Sequence, residues 1–150
     1  MIQRDRVRDH SPSLANERID RATQRRVLRA GGESKAALSR RLERLDEEWD
    51  MERVLETNAS ALALGGLLLG LFVNRKFLLV PCFVLPFLLQ HATQGWCPPV
   101  PMFRRRGIRT RKEIDTEKFA IKALRGDFAA VAAQDDPHER ARAAWKAANA

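Results

Sequence analysis

The chain has no tyrosine, and aromatic residues make up only 7% of it. Surfaces that stack the bases of single-stranded nucleic acid need rings in number, so this composition speaks against them. Cysteine occurs only at Cys82 and Cys97, too few for a disulfide framework and without Cys-x-x-Cys spacing. His10, His91 and His138 lie far apart, and none has a partner at helical ligand spacing, so neither a metal nor another cofactor is expected. The opening residues MIQRDRVRDH carry charge with no apolar run behind them, which predicts no cleavable secretory signal.

Charge is the other absence, and it is local. The whole chain carries 27 Lys and Arg against 19 Asp and Glu, a formal net charge of +8. An anionic partner is therefore expected, either nucleic acid or an anionic lipid surface. Yet Thr57 to Asn74, TNASALALGGLLLGLFVN, is eighteen residues without a charge. After Arg75 and Lys76 the chain is again uncharged from Phe77 to Phe103. A helix over the first run would reach about 27 Å, slightly short of a hydrocarbon core of about 30 Å. No polar side chain occurs between Leu62 and Val73, and Phe77 to Leu89 offers only Cys82. A buried pair in a small water-soluble bundle would need a polar face on each helix, and the rest of the chain could not cover two helices apolar all round. The fold class expected is all-α: a transmembrane helical hairpin with amphipathic cytoplasmic helices before and after it.

Three residues, Asn74, Arg75 and Lys76, separate the runs and make the helices antiparallel neighbours. Both spans are slightly short, so flanking Lys and Arg would reach to the interface. Arg40, Arg41, Arg44 and Arg53 precede the first span, and Arg104, Arg105, Arg106, Arg109, Arg111 and Lys112 follow the second. This bias predicts both termini in the cytoplasm and the loop outside. Gly66 and Gly70 share one face with Ala59 and Ala63, a small-residue stripe that lets backbones approach. That face could pack within the hairpin or across a dimer. Pro81 and Pro86 each predict a lost backbone donor and a bend in the second helix.

The flanks divide by composition. Residues 1–32 read as a disordered basic segment, structureless over 1–16, with a short helix over 17–30 that aligns Ile19, Ala22, Arg26 and Ala30 before Gly31-Gly32. That helix has Leu and Val but neither Phe nor Trp, which predicts only weak membrane contact. Residues 33–56 read as one charged amphipathic helix, with Leu38, Leu42, Leu45 and Trp49 as its stripe. The stripe is too short for a long coiled coil, leaving a packed or interfacial helix, or a short dimer zipper. The hairpin occupies 57–103, and a basic juxtamembrane segment with cytoplasmic helices fills 104–150. There Thr110 and Glu113 form a capping box that opens a helix over 111–125, ended by Gly126. Ile114, Ile121 and Leu124 lie along its side. Asp136, Pro137 and Glu139 open a second, Ala-rich helix, on which Trp145 could dock or meet headgroups.

Residues 104–112 contain six cations and no carboxylate. Following directly on a span, they fit a stop-transfer segment that binds anionic headgroups, and no nucleic-acid-binding motif accompanies them. Cys97 has two readings. Gly95-Trp96-Cys97-Pro98 can terminate the helix, with Trp96 at the interface and Pro98, Pro99 and Pro101 preventing continuation. Alternatively, the arginines could lower the thiol's pKa, with His91 as base, although no third orienting group presents itself.

These residues carry a resemblance. Two apolar helices, then Gly95-Trp96-Cys97-Pro98, then Gly107-Ile108 with Thr110, resemble the YgaP-like inner-membrane transmembrane domain of bacteria over about residues 50–112. The resemblance implies a small, often dimeric hairpin in the bacterial inner membrane. In the namesake the hairpin is joined to a rhodanese domain that carries sulfur on a cysteine. No such catalytic loop is found here, so sulfurtransferase activity is not implied. The arginine triplet before Gly107 and the charged extensions are departures. The function expected is a non-catalytic scaffold or accessory subunit that oligomerises and binds anionic lipid. The alternatives are a permease-like oligomer for an anion or sulfur species, or a sulfur carrier using Cys97.

Overall fold

The computed structural model describes residues 5–149, and among them the secondary structure is entirely helical, without strands. In chain order the helices are α1 (Arg6–Asp9), α2 (Ser13–Ala30), α3 (Lys35–Glu47), α4 (Met51–Phe72), a 3-10 turn (Arg75–Leu78), α5 (Leu79–Gln94), α6 (Val100–Arg105), α7 (Arg111–Arg125), α8 (Ala129–Ala132) and α9 (Pro137–Asn149). The chain forms two compact units: residues up to Asp20 with Trp49–Glu113, and Arg21–Glu48 with the residues from Ile114 onward.

The first unit contains two long apolar helices, each long and apolar enough to cross a membrane. Asp50 starts α4, its carboxylate accepting from the Arg53 amide at 2.8 Å, while the Met51 amide donates to the Arg109 carbonyl at 2.8 Å. At the far end the Val73 and Asn74 amides both return to the Leu69 carbonyl, and the Asn74 side chain accepts from the Lys76 amide. This closes the short connection. Pro81 is the third residue of α5, where an N–H would have no helical acceptor, so only Pro86 removes an internal bond. The loss expected at both prolines is thus halved by position. Gly95 ends the helix with φ +77°, its amide donating to His91 O at 2.7 Å. A Cβ there would come within 2.5 Å of Arg6 Cβ, so glycine is demanded by space as well as by angle.

Gly66 and Gly70 are buried, and both face the second apolar segment. A Cβ on Gly66 would lie 2.7 Å from Val80 Cβ and 2.8 Å from Pro81 Cδ; on Gly70 it would lie 2.5 Å from Leu78 Cδ2. Elsewhere these helices are bare. The most apolar stretch of the helical segment ending at Phe72 is 17% buried, and that of Arg75–Gln94 only 6%. Leu71, Phe72, Phe83 and Leu89 are each more than 60% exposed. At one end, Val7, Met51, Leu55, Cys97 and Val100 form a core, with Phe103 and Ile108 packed on it. Val7 belongs to α1, and Asp5 caps that helix by accepting from the Arg8 amide at 3.0 Å. Residues 5–16 are therefore ordered around a buried valine, contrary to the structureless tail expected. Residues 1–4 of that expectation lie outside the described residues.

The second unit has its own core of Ala30, Leu38, Leu42, Leu45, Ile114 and Ile121. Ser34 caps α3. Trp49, expected to continue the α3 stripe, does not. The helix stops at Glu47, Glu48 turns extended, and Trp49 is 46% exposed with the Arg53 guanidinium 4.5 Å from its ring. Asp50 explains the break, because its carboxylate satisfies an amide of a new helix in place of an old one. Gly126 closes α7 with φ +90°, and the Asp136 carboxylate caps α9 by accepting from the Glu139 amide at 2.8 Å. Buried Lys122 donates to the Ala148 carbonyl at 2.7 Å, placing a cation on the final turn of α9. Glu117, 1% exposed, accepts from Arg26 Nη2 at 2.8 Å. Of the three apolar residues along the side of α7, Ile114 and Ile121 are buried and Leu124 is 45% exposed, and Trp145 of α9 is 75% exposed.

Gly66→Val is expected to destabilise the first unit by about 1–3 kcal/mol, the usual cost of overpacking. Gly65→Val, where nothing lies within 4 Å of the added Cβ, serves as the control. Thermal unfolding in detergent should show a lower midpoint for the first variant alone.

Candidate functional site

The segment between the end of α5 and the start of α7 holds the basic residues singled out above. Pro98 and Pro99 end any continuation of α5, and α6 begins at Val100. Val100 is buried, and Arg104, one helical turn later, lies on the same face and is carried inward with it. Gly107 then reverses the chain at φ +88°, returning Ile108 to the core.

Arg104 is 1% exposed and makes a forked pair with Glu113: Nη1 to Oε2 at 2.6 Å and Nη2 to Oε1 at 2.7 Å. It also donates to the Ile108 carbonyl at 3.0 Å and to Asn16 Oδ1 at 2.7 Å. Arg8 Nη1 donates to Glu113 Oε1 at 2.7 Å and to Asp20 Oδ1 at 2.8 Å, and Thr110 donates to Asp5 Oδ2. The capping box closes as expected, Thr110 N to Glu113 Oε2 at 3.0 Å and Glu113 N to Thr110 Oγ1 at 3.3 Å. Two guanidiniums and two carboxylates thus neutralise one another around a small core, with Arg104 Nε the one atom of this group left buried and unpartnered. Desolvation would raise the Glu113 carboxyl, but the hydrogen bonds from Arg104, the Thr110 amide and Arg8 outweigh it and hold it below the ordinary glutamate range. Arg8's hydrogen bond lowers Asp20 in the same way.

The six expected headgroup ligands therefore separate. Arg104 and Arg109 are buried, at 1% and 5% exposure, and are corrected to structural residues, since a cation enclosed by protein cannot meet a lipid phosphate. Arg109, Arg111 and Lys112 each have partners within the protein. Arg105 and Arg106 are exposed and face outward from α6. Cys97 is 6% exposed in the core, and burial pushes its thiol up, outweighing the hydrogen bond from the Val100 amide. A thiol so placed is a poor nucleophile. His91, considered as its base, is buried with Nδ1 unpartnered. Among the described residues no cluster of His, Cys, Asp and Glu could hold a metal. The capping box made Glu113 visible in sequence, but nothing local pointed to Arg8, 105 residues away, as its partner.

Arg104→Met should cost about 3–5 kcal/mol, because it leaves a buried carboxylate short of its main partner. The double variant Arg104→Met with Glu113→Met should recover much of that loss in a double-mutant cycle. The depressed Glu113 value has a definite sign: its contribution is complete above the ordinary value of 4.5 and disappears as pH falls through the lowered one. Glu113→Gln should accordingly flatten the acid limb of a stability-against-pH curve while leaving its neutral limb parallel. Cys97 should react with maleimide only at the rate of unfolding, so that its labelling follows the unfolding transition.

Compared with protein-family models, with curated proteins and with solved structures, the chain finds no match in any of the three.

Proposed function

We propose that this chain is a small integral membrane protein in which α4 and α5 form a transmembrane helical hairpin, and that it acts as a non-catalytic scaffold or accessory subunit rather than an enzyme. One observation carries this reading: the two helices bury Gly66 and Gly70 against each other's segment and leave nearly all their remaining apolar surface bare. A core helix of a water-soluble protein would be mostly covered. In lipid, bare leucine and phenylalanine are the stable arrangement, and a helix satisfies its own backbone. The core joining Val7 and Met51 with Cys97 and Val100 supports placing the flanks on a single side of the bilayer. The Lys and Arg bias favours the cytoplasm for that side, with Arg75 and Lys76 outside, and the YgaP-like resemblance implies that the membrane is a bacterial inner membrane.

On this reading the chain is a YgaP-like hairpin without a rhodanese domain, self-associating as a dimer through the outer surfaces of its spans. Arg105 and Arg106 remain to meet anionic headgroups. The buried thiol of Cys97 speaks against a sulfur carrier, and the scarcity of polar groups between Leu62 and Leu89 speaks against a permease.

The test is integration and sidedness. The chain should resist alkaline extraction from membranes. In a Cys82→Ala background, Asn74→Cys should react with a membrane-impermeant maleimide from outside intact spheroplasts, and Ala148→Cys only after lysis. Release by alkali, or labelling of position 148 in intact cells, would overturn the proposal.

A further inference from the structure

The apolar surface left bare on α4 and α5 has a definite height. From Ala61 to Val73 and from Phe77 to Leu89 no residue carries a polar side chain except the Cys82 thiol, thirteen residues in each band. Side chains of both bands that turn away from the neighbouring helix are exposed, Phe72 at 82% and Leu89 at 67% among them. At about 1.5 Å per residue each band is about 20 Å tall. Gly66 against Val80 and Pro81, and Gly70 against Leu78, hold the helices in one register, so the bands cannot slide past each other. Carried along the helices, that register brings the band ends level to within about one turn. Polar groups mark both edges. Asn74, Arg75 and Lys76 close the bands at the hairpin connection, and all three are exposed. At the other edge stand exposed Thr57, Asn58 and Ser60 on α4 and Thr93 and Gln94 on α5, with the exposed carboxylate of Glu56 next in line. Asn58 donates to the Val54 carbonyl at 2.7 Å and Thr93 to the Leu89 carbonyl at 3.1 Å, so these side chains shed part of their polarity onto their own helix. Even with them counted in, the uncharged stretch from Thr57 to Val73 is seventeen residues, about 25 Å. An ordinary hydrocarbon core is about 30 Å thick.

We propose that the hairpin is fitted to a thin bilayer, with a hydrocarbon core of about 20–25 Å, and that it draws thicker leaflets together around itself. This rests on reading α4 and α5 as membrane spans. Other ways of meeting a thicker core are closed to it. Tilting lowers the height of the bands and worsens the mismatch. Lys and Arg side chains can snorkel, but only Arg75 and Lys76 stand at a band edge, so one end alone gains by it. The opposite edge carries short polar side chains and then a carboxylate, none of which spans a gap of several ångströms. Self-association reduces the perimeter that meets lipid and leaves the deficit in height as it was. The acyl chains therefore have to adapt: short or compressed chains cover the leucines and phenylalanines without drawing Glu56 into hydrocarbon. The partner selected is a lipid environment of particular thickness, and headgroup charge has no part in the selection.

The experiment is a competition. The full chain is synthesised in a cell-free system with equal amounts of two vesicle populations, one of dimyristoleoyl and one of dierucoyl phosphatidylcholine, both fluid and differing in thickness. After separation by a tagged lipid and an alkaline wash, the thin vesicles should hold at least about fivefold more integrated chain, because the cost of mismatch accumulates with every ångström. Replacing Thr57, Asn58, Ser60, Gln90, Thr93 and Gln94 with Leu lengthens both bands by about one turn. That variant should integrate with a preference of about twofold or less, and unchanged circular dichroism would verify that its helices persist. Equal or greater integration of the unaltered chain into the thick vesicles would overturn the proposal. So would an undiminished preference in the lengthened variant, which would trace the effect to the looseness of thin vesicles instead of the height of the bands. A chain that resists alkali in neither population would sink the membrane reading as well, whereas one that integrates without preference removes this inference alone.

Discussion

Glu113 holds together parts of the chain that could not otherwise recognise one another. Its carboxylate accepts from Arg104 on α6, from Arg8 on α1 and from the amide of Thr110, so a helix cap, the segment after α5 and the N-terminal turn meet at one pair of oxygens. Isolated buried ions are costly, and the forked Arg–carboxylate pair, with Nη1 and Nη2 of Arg104 also bonded to the Ile108 carbonyl and to Asn16, offsets much of that cost. The apolar cluster beside it is small, and Val7, Met51, Leu55, Cys97 and Val100 alone leave many registers open for the flanks. The ion network selects one.

On the proposed reading, in which α4 and α5 lie in lipid, these two helices follow a different rule. Between helices in lipid there is no hydrophobic gain to be had from contact, because lipid tails are as apolar as leucine. Close packing has to supply the attraction, and glycine supplies it at Gly66 and Gly70, where backbone meets Val80, Pro81 and Leu78. The two halves of the first unit thus depend on opposite physics: dense apolar contact in one, mutual neutralisation of charge in the other.

What could be read from the residues is mostly what local chemistry decides. The Thr110–Glu113 box, the Asp136-Pro137 start of α9, and the left-handed glycines at 95 and 126 all stand where their side chains or their lack of one required. The two apolar helices were legible because charge vanishes over lengths only a bilayer or a large core could accept. The errors fall where a neighbour distant in sequence decides. Asp50 interrupts what propensity alone joins into one helix, and the Met51 amide finds its acceptor on Arg109, far along the chain. Six consecutive-looking cations invited a single role. Yet the turn of α6 carries Arg104 inward and Arg105 and Arg106 outward, a distinction that helical phase makes and composition does not.

The contact between Arg6 and the last turn of α5 has a consequence for biosynthesis. Carbonyls at a helix C-terminus lack intrahelical donors, and those of Ala92 and Thr93 are met by a guanidinium 86 and 87 residues upstream. Translation delivers that guanidinium first. By the time the ribosome releases the second apolar segment, the group that will close its end has long been made, so the order in which the polypeptide is synthesised and the order in which its ends are sealed coincide.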